Sequence, residues 1–554
     1  MIDIRPEHMT LTELLDRRLF EIPDYQRTYS WETRQRTELF EDIKRVTKKN
    51  LGESHFMSTI VCRRKDEVYL GTNKYYKLDV VDGQQRLTTL ILLLNSVKLS
   101  SRVRELENNE LQDLTRLLVK PEAGNLLLLQ TNHDASRHFS NFLRNGISID
   151  PEEANTVADR EILKAIEECN QFVEDWVNDS GTLIDLYSCL KNRLSFILYE
   201  ISEEKLVYTV FEVLNSRGIE VSWFDRLKSI LMGSAFEIEN ADRKQLIDEL
   251  HDTWSKIYST IGLKQGLSTE ALRFAATLYR SSAPNRPLSE RDSVDEFRLK
   301  AIDSISIRAA ANWIHDVVDA CNKVVSNRRQ NAVTRISQAR LLAVSIFLRS
   351  NIGDDDRGKL LERWEKISFR IYGMLGKDAR YHVGDYVRLS WRIIREDISV
   401  EEINSEFDEL AQICPVADAV KALYKENCYE GWQDELRYLM FRYEEHLAEQ
   451  AGLNFRNEQW ERIWEASPSR SIEHIIPQSK ADEAIKHRLG NLMILPPGLN
   501  SKLRDLPTFK KLESYEKTGL LTAKKVAEIR RWSRISVEKR ENDILNWASQ
   551  EWRD

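Results

Sequence analysis

The chain has few cysteines and no long uninterrupted run of apolar residues. Its six cysteines are scattered, and no two form a Cys-x-x-Cys pair. This spacing argues against a zinc ribbon and a disulfide framework, so we expect reduced, mostly buried thiols. The longest apolar candidate, residues 87–94, is far shorter than the ~20 residues of a membrane span. The first residues, MIDIRPEHMT, lack the basic-then-apolar pattern of a signal peptide. We therefore expect a cytoplasmic protein with no membrane partner.

The sequence also lacks a Walker A phosphate-binding string, an internal repeat and a low-complexity segment. The missing Walker A string excludes an ordinary P-loop NTPase. The chain has 554 residues, of which 42% are hydrophobic and 31% are charged, as is typical of globular proteins. This length is too great for one ordinary hydrophobic core, and roughly two to four domains are expected.

Charge is distributed unevenly along the chain. The formal net charge is −8, which is not typical of a nucleic-acid-binding protein. Residues 456–554, however, contain 19 Lys and Arg against 15 Asp and Glu, a net of +4, and the remainder carries −12. Because phosphate neutralisation supplies much of the affinity for DNA, a basic C-terminal part suits a module that faces DNA. A solvated helical surface is the alternative explanation of this small excess.

The spacing of apolar residues divides the chain into three parts. Strand-like and helix-like stretches alternate in the first part, and helical spacing then continues through residues 240–450. A polar stretch, AGLNFRNEQ, follows the last of these helices and marks a boundary. We predict an α+β multidomain fold with an α/β N-terminal domain, an all-α middle and a small C-terminal module. The predicted domains are residues 1–235, 236–450 and 451–554.

Two strand-like stretches near the C-terminus, SIEHIIPQSK and LGNLMILPPGLN, carry a compact set of polar residues. Neutral His474 can take a proton from water, because the unperturbed pKa of histidine lies near neutrality. The Glu473 carboxylate and the Asn500 amide carbonyl are hard oxygen ligands that suit Mg²⁺ or Mn²⁺. Asn491 would hydrogen-bond a loop or the imidazole and so orient His474. For the Glu-His pair alone, a core histidine beside a chance glutamate is the alternative.

This order of residues resembles the strand-strand-helix (ββα) metal finger of HNH nucleases. With the closing string LNSKLRDLPTFKK, it resembles the C-terminal HNH module of the GmrSD family of modification-dependent restriction enzymes and of SspE-type phosphorothioate-sensing nucleases. The resemblance implies metal-dependent cleavage of DNA, with His474 as the general base. Four cations follow the motif, for which either phosphate contact or a solvated helix face is expected: Lys502, Arg504, Lys510 and Lys511.

Three N-terminal strings resemble the N-terminal domain of the same family: IPDYQRTYSW (22–31), VVDGQQRLTTL (80–90) and FEVLNSRGIEVSWFDRLK (211–228). In that family this domain has a ParB/sulfiredoxin-like fold that binds and hydrolyses a nucleoside triphosphate. The resemblance therefore implies GTP or ATP as a cofactor. The positions implied to bind it are Tyr25, Gln26, Arg27, Asp82, Gly83, Gln84, Gln85, Arg86, Asn215, Arg217 and Gly218.

The chemistry of these residue types is compatible with a nucleotide site. Gly83 would let a backbone approach a phosphate closely, at the start of a helix whose free N–H groups attract anions. Asp82 would hold Mg²⁺ or polarise water, and Gln85 would orient that water. For DGQQR alone, a polar turn in which Asp82 caps the helix is the alternative. Tyr29 and Trp31 are expected in the core. Three arginines can neutralise phosphate oxygens with paired N–H donors: Arg27, Arg86 and Arg217.

We therefore predict a single-chain, NTP-regulated, metal-dependent DNA endonuclease or nickase that defends against foreign, modified DNA. Because each chain has one finger, cutting both strands requires a homodimer or two sequential nicks. One alternative is a nucleotide-switched DNA-binding regulator whose HNH finger is inactive. Another is an NTPase-controlled RNase toxin, although recognisable aromatic RNA-stacking motifs are missing.

Overall fold

The chain folds into two compact units. The computed structural model describes residues 6–23, 28–47, 55–70, 72–120, 126–127, 129–131, 136–154, 156–179, 181–201, 222–238, 242–262, 264, 266–425, 427–455 and 457–553. Unit 1 comprises Met1–Leu272 and Val294–His315, and unit 2 comprises Arg273–Ser293 and Asp316–Asp554. The predicted mixture of helix and strand in a multidomain chain is confirmed.

Unit 1 contains a mixed β-sheet. Within the described part of the chain, six strands pair in the order β1-β8-β3-β4-β2-β7. Strand β4 is antiparallel to β3 and parallel to β2, and Val61 pairs with Asp82 at the end of β4. The strands of this unit are β1 (Pro6–Thr10), β2 (Arg18–Ile22), β3 (His55–Leu70), β4 (Asn73–Asp82), β5 (Val119–Lys120), β6 (Leu126–Leu127), β7 (Leu129–Thr131) and β8 (Leu194–Ile201).

Helices α1 to α7 of this unit contribute to the hydrophobic core that contains the sheet, or adjoin it, and α8 packs against α9. Helix α3 is apolar on nearly all sides, and almost its whole length is buried, as such a composition requires. Tyr29 and Trp31 lie in the same core, which confirms their prediction as core residues. The helices are α1 (Leu11–Leu15), α2 (Thr33–Thr47), α3 (Gln84–Leu99), α4 (Asn108–Leu118), α5 (Ser136–Asn145), α6 (Val157–Asp179), α7 (Leu183–Asn192), α8 (Trp223–Glu237) and α9 (Arg243–Ile261).

Unit 2 is mostly helical, and the helical spacing predicted through residues 240–450 is confirmed. Three helices contain residues assigned to both units: α10 (Leu267–Tyr279), α11 (Glu290–Lys300) and α12 (Ser304–Ser326). Those that follow are α13 (Arg328–Val333), α14 (Ser337–Leu348), α15 (Asp354–Ser368), α16 (Val383–Arg395), α17 (Val400–Ile413), α18 (Val416–Leu423), α19 (Gln433–Gln450), α20 (Asn457–Glu465), α21 (Glu483–Lys486), α22 (Pro497–Leu503), α23 (Thr508–Glu516), α24 (Leu521–Glu528) and α25 (Arg534–Glu551).

Two short strands, β9 (Ile472–His474) and β10 (Leu492–Ile494), form an antiparallel ribbon in unit 2. In the same unit, a buried carboxylate joins two of the helices. The Glu444 carboxylate on α19 accepts hydrogen bonds from the backbone N–H groups of Leu521 and Thr522, the first residues of α24. These bonds satisfy amides that a helix N-terminus leaves without an internal partner. Helix α19 is thus fixed to the C-terminal segment of the same unit.

Two further expectations concern the whole chain. All six cysteines are buried and unpaired, which confirms the prediction of reduced, buried thiols. Among the described residues, every helix is either too short or too polar to span a lipid bilayer.

Candidate active site and nucleotide-binding turn

Asn491 holds the loop that follows His474. Its side chain is fully buried, and the residue directly precedes β10. Its Oδ1 accepts a hydrogen bond from the backbone N–H of Ile476 at 2.8 Å. Its Nδ2 donates to the carbonyls of Ile476 at 3.1 Å and Lys486 at 3.0 Å. With three bonds to two chain segments, this amide fixes the end of β9 against the connection that leads to β10.

Glu473 and His474 point to opposite faces of β9, as successive strand residues do. The Glu473 carboxylate is buried, and its Oε1 accepts hydrogen bonds from Lys511 Nζ at 2.6 Å and Tyr515 Oη at 2.7 Å. Lys511 also donates to the His474 carbonyl at 3.1 Å. Burial raises the pKa of Glu473, and Lys511 opposes that shift. In this arrangement the carboxylate stabilises the interior of the module.

The imidazole of His474 lies in a cluster of three side chains that the sequence did not indicate. Its Nε2 is 3.0 Å from Nδ1 of His487, and its Nδ1 is 3.3 Å from Nε2 of Gln478. The Tyr429 ring stacks on His487 with centroids 5.2 Å apart and meets His474 edge to face at 4.9 Å. Tyr429 lies upstream of the predicted module of residues 451–554. Because no sequence spacing links Tyr429 to the motif, only the fold reveals it.

One tautomer of His474 satisfies both of these contacts. With the Gln478 amide nitrogen as donor, Nδ1 of His474 is the acceptor and the ring proton is assigned to Nε2. That proton is donated to Nδ1 of His487. Burial, followed by the neighbouring His487 imidazole and the positive charges of Lys511 and Lys486, lowers the pKa of His474 to about 3. The ring is therefore neutral near pH 7, and its Nδ1 carries the lone pair that a general base needs.

Asn500 lies on α22, beside the start of β9. Its Nδ2 donates to the carbonyls of Arg470 at 2.9 Å and Ile472 at 3.1 Å. With both N–H groups used on the backbone, Oδ1 is the atom that can bind a cation. Ile472 precedes His474 by two residues, or about 7 Å along a strand. No group of three or more His, Cys, Asp and Glu side chains suited to a metal ion occurs within the described ranges.

The four cations after the motif differ in exposure. Lys502, Arg504 and Lys510 are exposed. Lys511 is fully buried and paired with Glu473, so the predicted contact with DNA phosphate does not fit its position. The structural reason is helix geometry: Lys511 and Tyr515 lie one turn apart on the buried face of α23, and Lys510 lies on a different face.

In unit 1, the predicted strand-to-helix turn is present. Strand β4 ends at Asp82, and Gly83 precedes α3 with a φ of +91°. A Cβ at Gly83 would lie 3.1 Å from Ile60 Cγ1 and 3.3 Å from the Thr59 carbonyl oxygen. The position therefore requires glycine for both its backbone conformation and its close approach to β3.

Gln85 fixes the backbone of the first motif. Its Oε1 accepts hydrogen bonds from the N–H groups of Ser30 at 2.8 Å and Trp31 at 3.2 Å. Its Nε2 donates to the Thr28 carbonyl at 3.0 Å. Both the oxygen and the nitrogen of the Gln85 amide are bonded to the backbone of residues 28–31. To orient a water molecule, as the sequence predicted, Gln85 would have to give up one of these bonds. Its neighbour Gln84 is also buried.

Of the three arginines predicted to bind phosphate, Arg86 lies within the described residues. Its guanidinium lies 5.5 Å from the centroid of the Trp31 ring. Burial lowers its pKa, and the charges of Asp82 and Asp42 oppose that shift. The remaining predicted nucleotide-binding positions lie outside the described residues: Tyr25, Gln26, Arg27, Asn215, Arg217 and Gly218.

Two family models match the chain. The N-terminal domain of the GmrSD restriction endonuclease matches residues 11–232, and the C-terminal domain of GmrSD restriction endonucleases matches residues 417–547. The protein is therefore a restriction endonuclease, a class that cuts DNA in defence. More specifically, the chain belongs to the GmrSD family, which confirms the resemblance found in its motifs. No curated protein matches it.

Proposed function

We propose that the protein is an NTP-regulated, divalent-metal-dependent DNA endonuclease or nickase that cuts foreign, modified DNA with a C-terminal HNH finger. The observation that carries the proposal is the position of His474. Its imidazole is held at Nε2 by His487 and directs Nδ1 at the Gln478 amide, beside a two-stranded ribbon and a helix. A neutral imidazole in this orientation can accept the proton of an attacking water at Nδ1.

In the proposed reaction, a water molecule takes the place of the Gln478 amide at Nδ1 of His474. The water gives its proton to Nδ1 as its oxygen bonds to phosphorus. The bond from phosphorus to the leaving sugar oxygen breaks, and that oxygen takes up a proton from solvent. His474 becomes an imidazolium, and its Nε2–H remains bonded to His487. This hydrogen bond stabilises the charged ring and keeps Nδ1 directed at the water.

The residues fit a hydrated Mg²⁺ or Mn²⁺ ion bound through Asn500 better than the two-ligand site expected from the sequence. Asn500 Oδ1 is oriented by two backbone contacts of its own amide group. Glu473 instead pairs with Lys511 and Tyr515 on the other strand face. Mg²⁺ commonly keeps several waters and uses few protein ligands beside substrate phosphates. When bound, such an ion would stabilise the charge on the leaving oxygen.

For the N-terminal domain we propose a ParB/sulfiredoxin-like fold that binds and hydrolyses GTP or ATP at the DGQQR turn. The first amides of α3 and the Arg86 guanidinium would neutralise a phosphate there. Nucleotide would gate the nuclease, since an ungated enzyme would cut the host chromosome. A nucleotide can do so only by binding the active and inactive conformations with different affinities.

A plasmid-nicking assay tests the proposal. Purified wild-type and His474→Ala proteins are compared with Mg²⁺ or Mn²⁺, with and without GTP or ATP, on plain and modified DNA. We expect wild type alone to nick, with a rate that depends on nucleotide or modification, and a chelator to abolish nicking. His474→Ala should remain folded and retain its NTP turnover.

Two results would replace the proposal with its alternatives. Binding without nicking of any DNA, with NTP turnover intact, would indicate a regulator. Cleavage of RNA but not of DNA would indicate an RNase. Nicking by His474→Ala at the wild-type rate would remove His474 as the base.

A further inference from the structure

Residues 502–510, which run from the end of α22 to the first turn of α23, expose two large apolar side chains. Phe509 is 67% exposed and Leu506 is 40% exposed. Most large apolar residues of unit 2 are buried in its core. Single exposed apolar residues are common on soluble proteins, so their exposure alone indicates no function.

This segment is fixed to the loop that follows His474. The Thr508 hydroxyl donates to the Ile475 carbonyl at 2.8 Å. The Ser479 hydroxyl donates to Asp505 Oδ1 at 2.5 Å. Both contacts join the segment to the chain just beyond His474. Phe509 follows Thr508 directly, so its backbone is adjacent to the residue that is hydrogen-bonded to Ile475.

Cations flank the two apolar side chains. Lys502, Arg504 and Lys510 are exposed, and none of the three forms an ion pair within the part of the chain that the structure describes. The same segment also contains one carboxylate, Asp505, which keeps its negative charge while it accepts a hydrogen bond from the Ser479 hydroxyl. Three cations against one carboxylate leave these residues with a net charge of +2 around the two apolar side chains.

We propose that Phe509, supported by Leu506, is a wedge that stacks on the bases of the DNA substrate, with the flanking cations on its phosphates. This role rests on the proposed nuclease function. An aromatic ring offers a surface on which any base can stack, and apolar wedges flanked by Lys and Arg unstack base steps. The charge complementarity favours DNA over a protein partner. Stacking of Phe509 on a nucleobase next to the cut site would hold the scissile phosphate at His474, the proposed general base.

The test uses full-length protein carrying His474→Ala, so that binding is measured without cutting. Phe509→Ala and Phe509→Trp are added to this background, and Ile535→Ala, which removes a side chain 76% exposed on α25, is the matched control. Affinity for a labelled DNA duplex is measured by fluorescence anisotropy. We expect Phe509→Ala to weaken binding at least about fivefold. Phe509→Trp and the control should bind as the parent does.

A duplex with 2-aminopurine supplies a second readout, because its fluorescence rises when the base is unstacked. The parent should raise this signal, and Phe509→Ala should not. Equal DNA affinity of Phe509→Ala and the parent would overturn the wedge, as would equal losses in Phe509→Ala and Phe509→Trp. If wild-type protein does not nick, but Phe509→Ala weakens binding and Phe509→Trp does not, the nuclease proposal fails while the wedge stands.

Discussion

The imidazole of His474 has a fixed orientation because both ring nitrogens have partners. His487 accepts from Nε2, and Gln478 donates to Nδ1. Tyr429 packs against both imidazoles and limits their rotation. His487 therefore acts on the proposed reaction through His474, as a positioning residue.

Replacing His487 should slow cleavage by misorienting the base. We expect His487→Ala to lower kcat for nicking roughly 10- to 100-fold, because small errors in the position of a reacting group cost about that much. His487→Asn should recover part of the loss, since the Asn Oδ1 can stand in for Nδ1 as the acceptor. Single-turnover nicking would give the rates, with the KM for DNA and the melting temperature unchanged. Equal rates for the Ala and Asn variants would contradict a hydrogen-bonding role.

The buried pair of Lys511 and Glu473 offers a second test at the residue scale. Lys511→Met leaves the Glu473 carboxylate buried without its cation, and breaking a buried pair in this way costs about 3–5 kcal/mol. We therefore expect a clear fall in the unfolding midpoint. The neighbouring Lys510→Met, at an exposed position, should change stability by only about 0.5 kcal/mol. Equal midpoints for the two variants in urea unfolding would show that the pair does not stabilise the module.

At the scale of elements, local periodicity predicted much of the fold. The alternation of strands and helices in the first part of the chain, the helix that starts after Gly83 and the helical spacing through residues 240–450 are confirmed, because each is specified by neighbours in sequence. Contacts between distant segments could not be predicted this way. Tyr429 reaches the candidate base only through tertiary packing, and Lys511 is buried because the face of α23 that it shares with Tyr515 packs on Glu473.

The turn between β4 and α3 should depend on glycine. Gly83→Ala places a Cβ 3.1 Å from Ile60 Cγ1 and keeps a φ of +91°, so we expect a loss of about 1–3 kcal/mol. Gly358→Ala is the matched control, because this glycine lies within α15 and a Cβ there meets nothing within 4 Å. Alanine favours helix over glycine, so this control should be neutral or slightly stabilising. Thermal melts would compare the two, and equal melting temperatures would contradict the strain at Gly83.

At the scale of the whole molecule, the two family matches lie in different parts of the chain, at residues 11–232 and 417–547. The motifs in each part predict a chemistry, but no motif states how one part responds to the other. Coupling is a property of the equilibrium between conformations of the full chain. It must therefore be measured on the full chain with both ligands.

Thermodynamic linkage gives a prediction that needs no assumption about the conformations involved. If nucleotide changes the affinity for DNA by some factor, DNA must change the affinity for nucleotide by the same factor, typically about 5- to 150-fold. His474→Ala protein with a non-hydrolysable GTP or ATP analogue allows both affinities to be measured without cleavage or turnover. Arg86→Ala should weaken nucleotide binding and leave the affinity for DNA in the absence of nucleotide unchanged. If the analogue binds and neither ligand changes the affinity for the other, nucleotide does not gate the nuclease through DNA binding, and any control must act on the cleavage step.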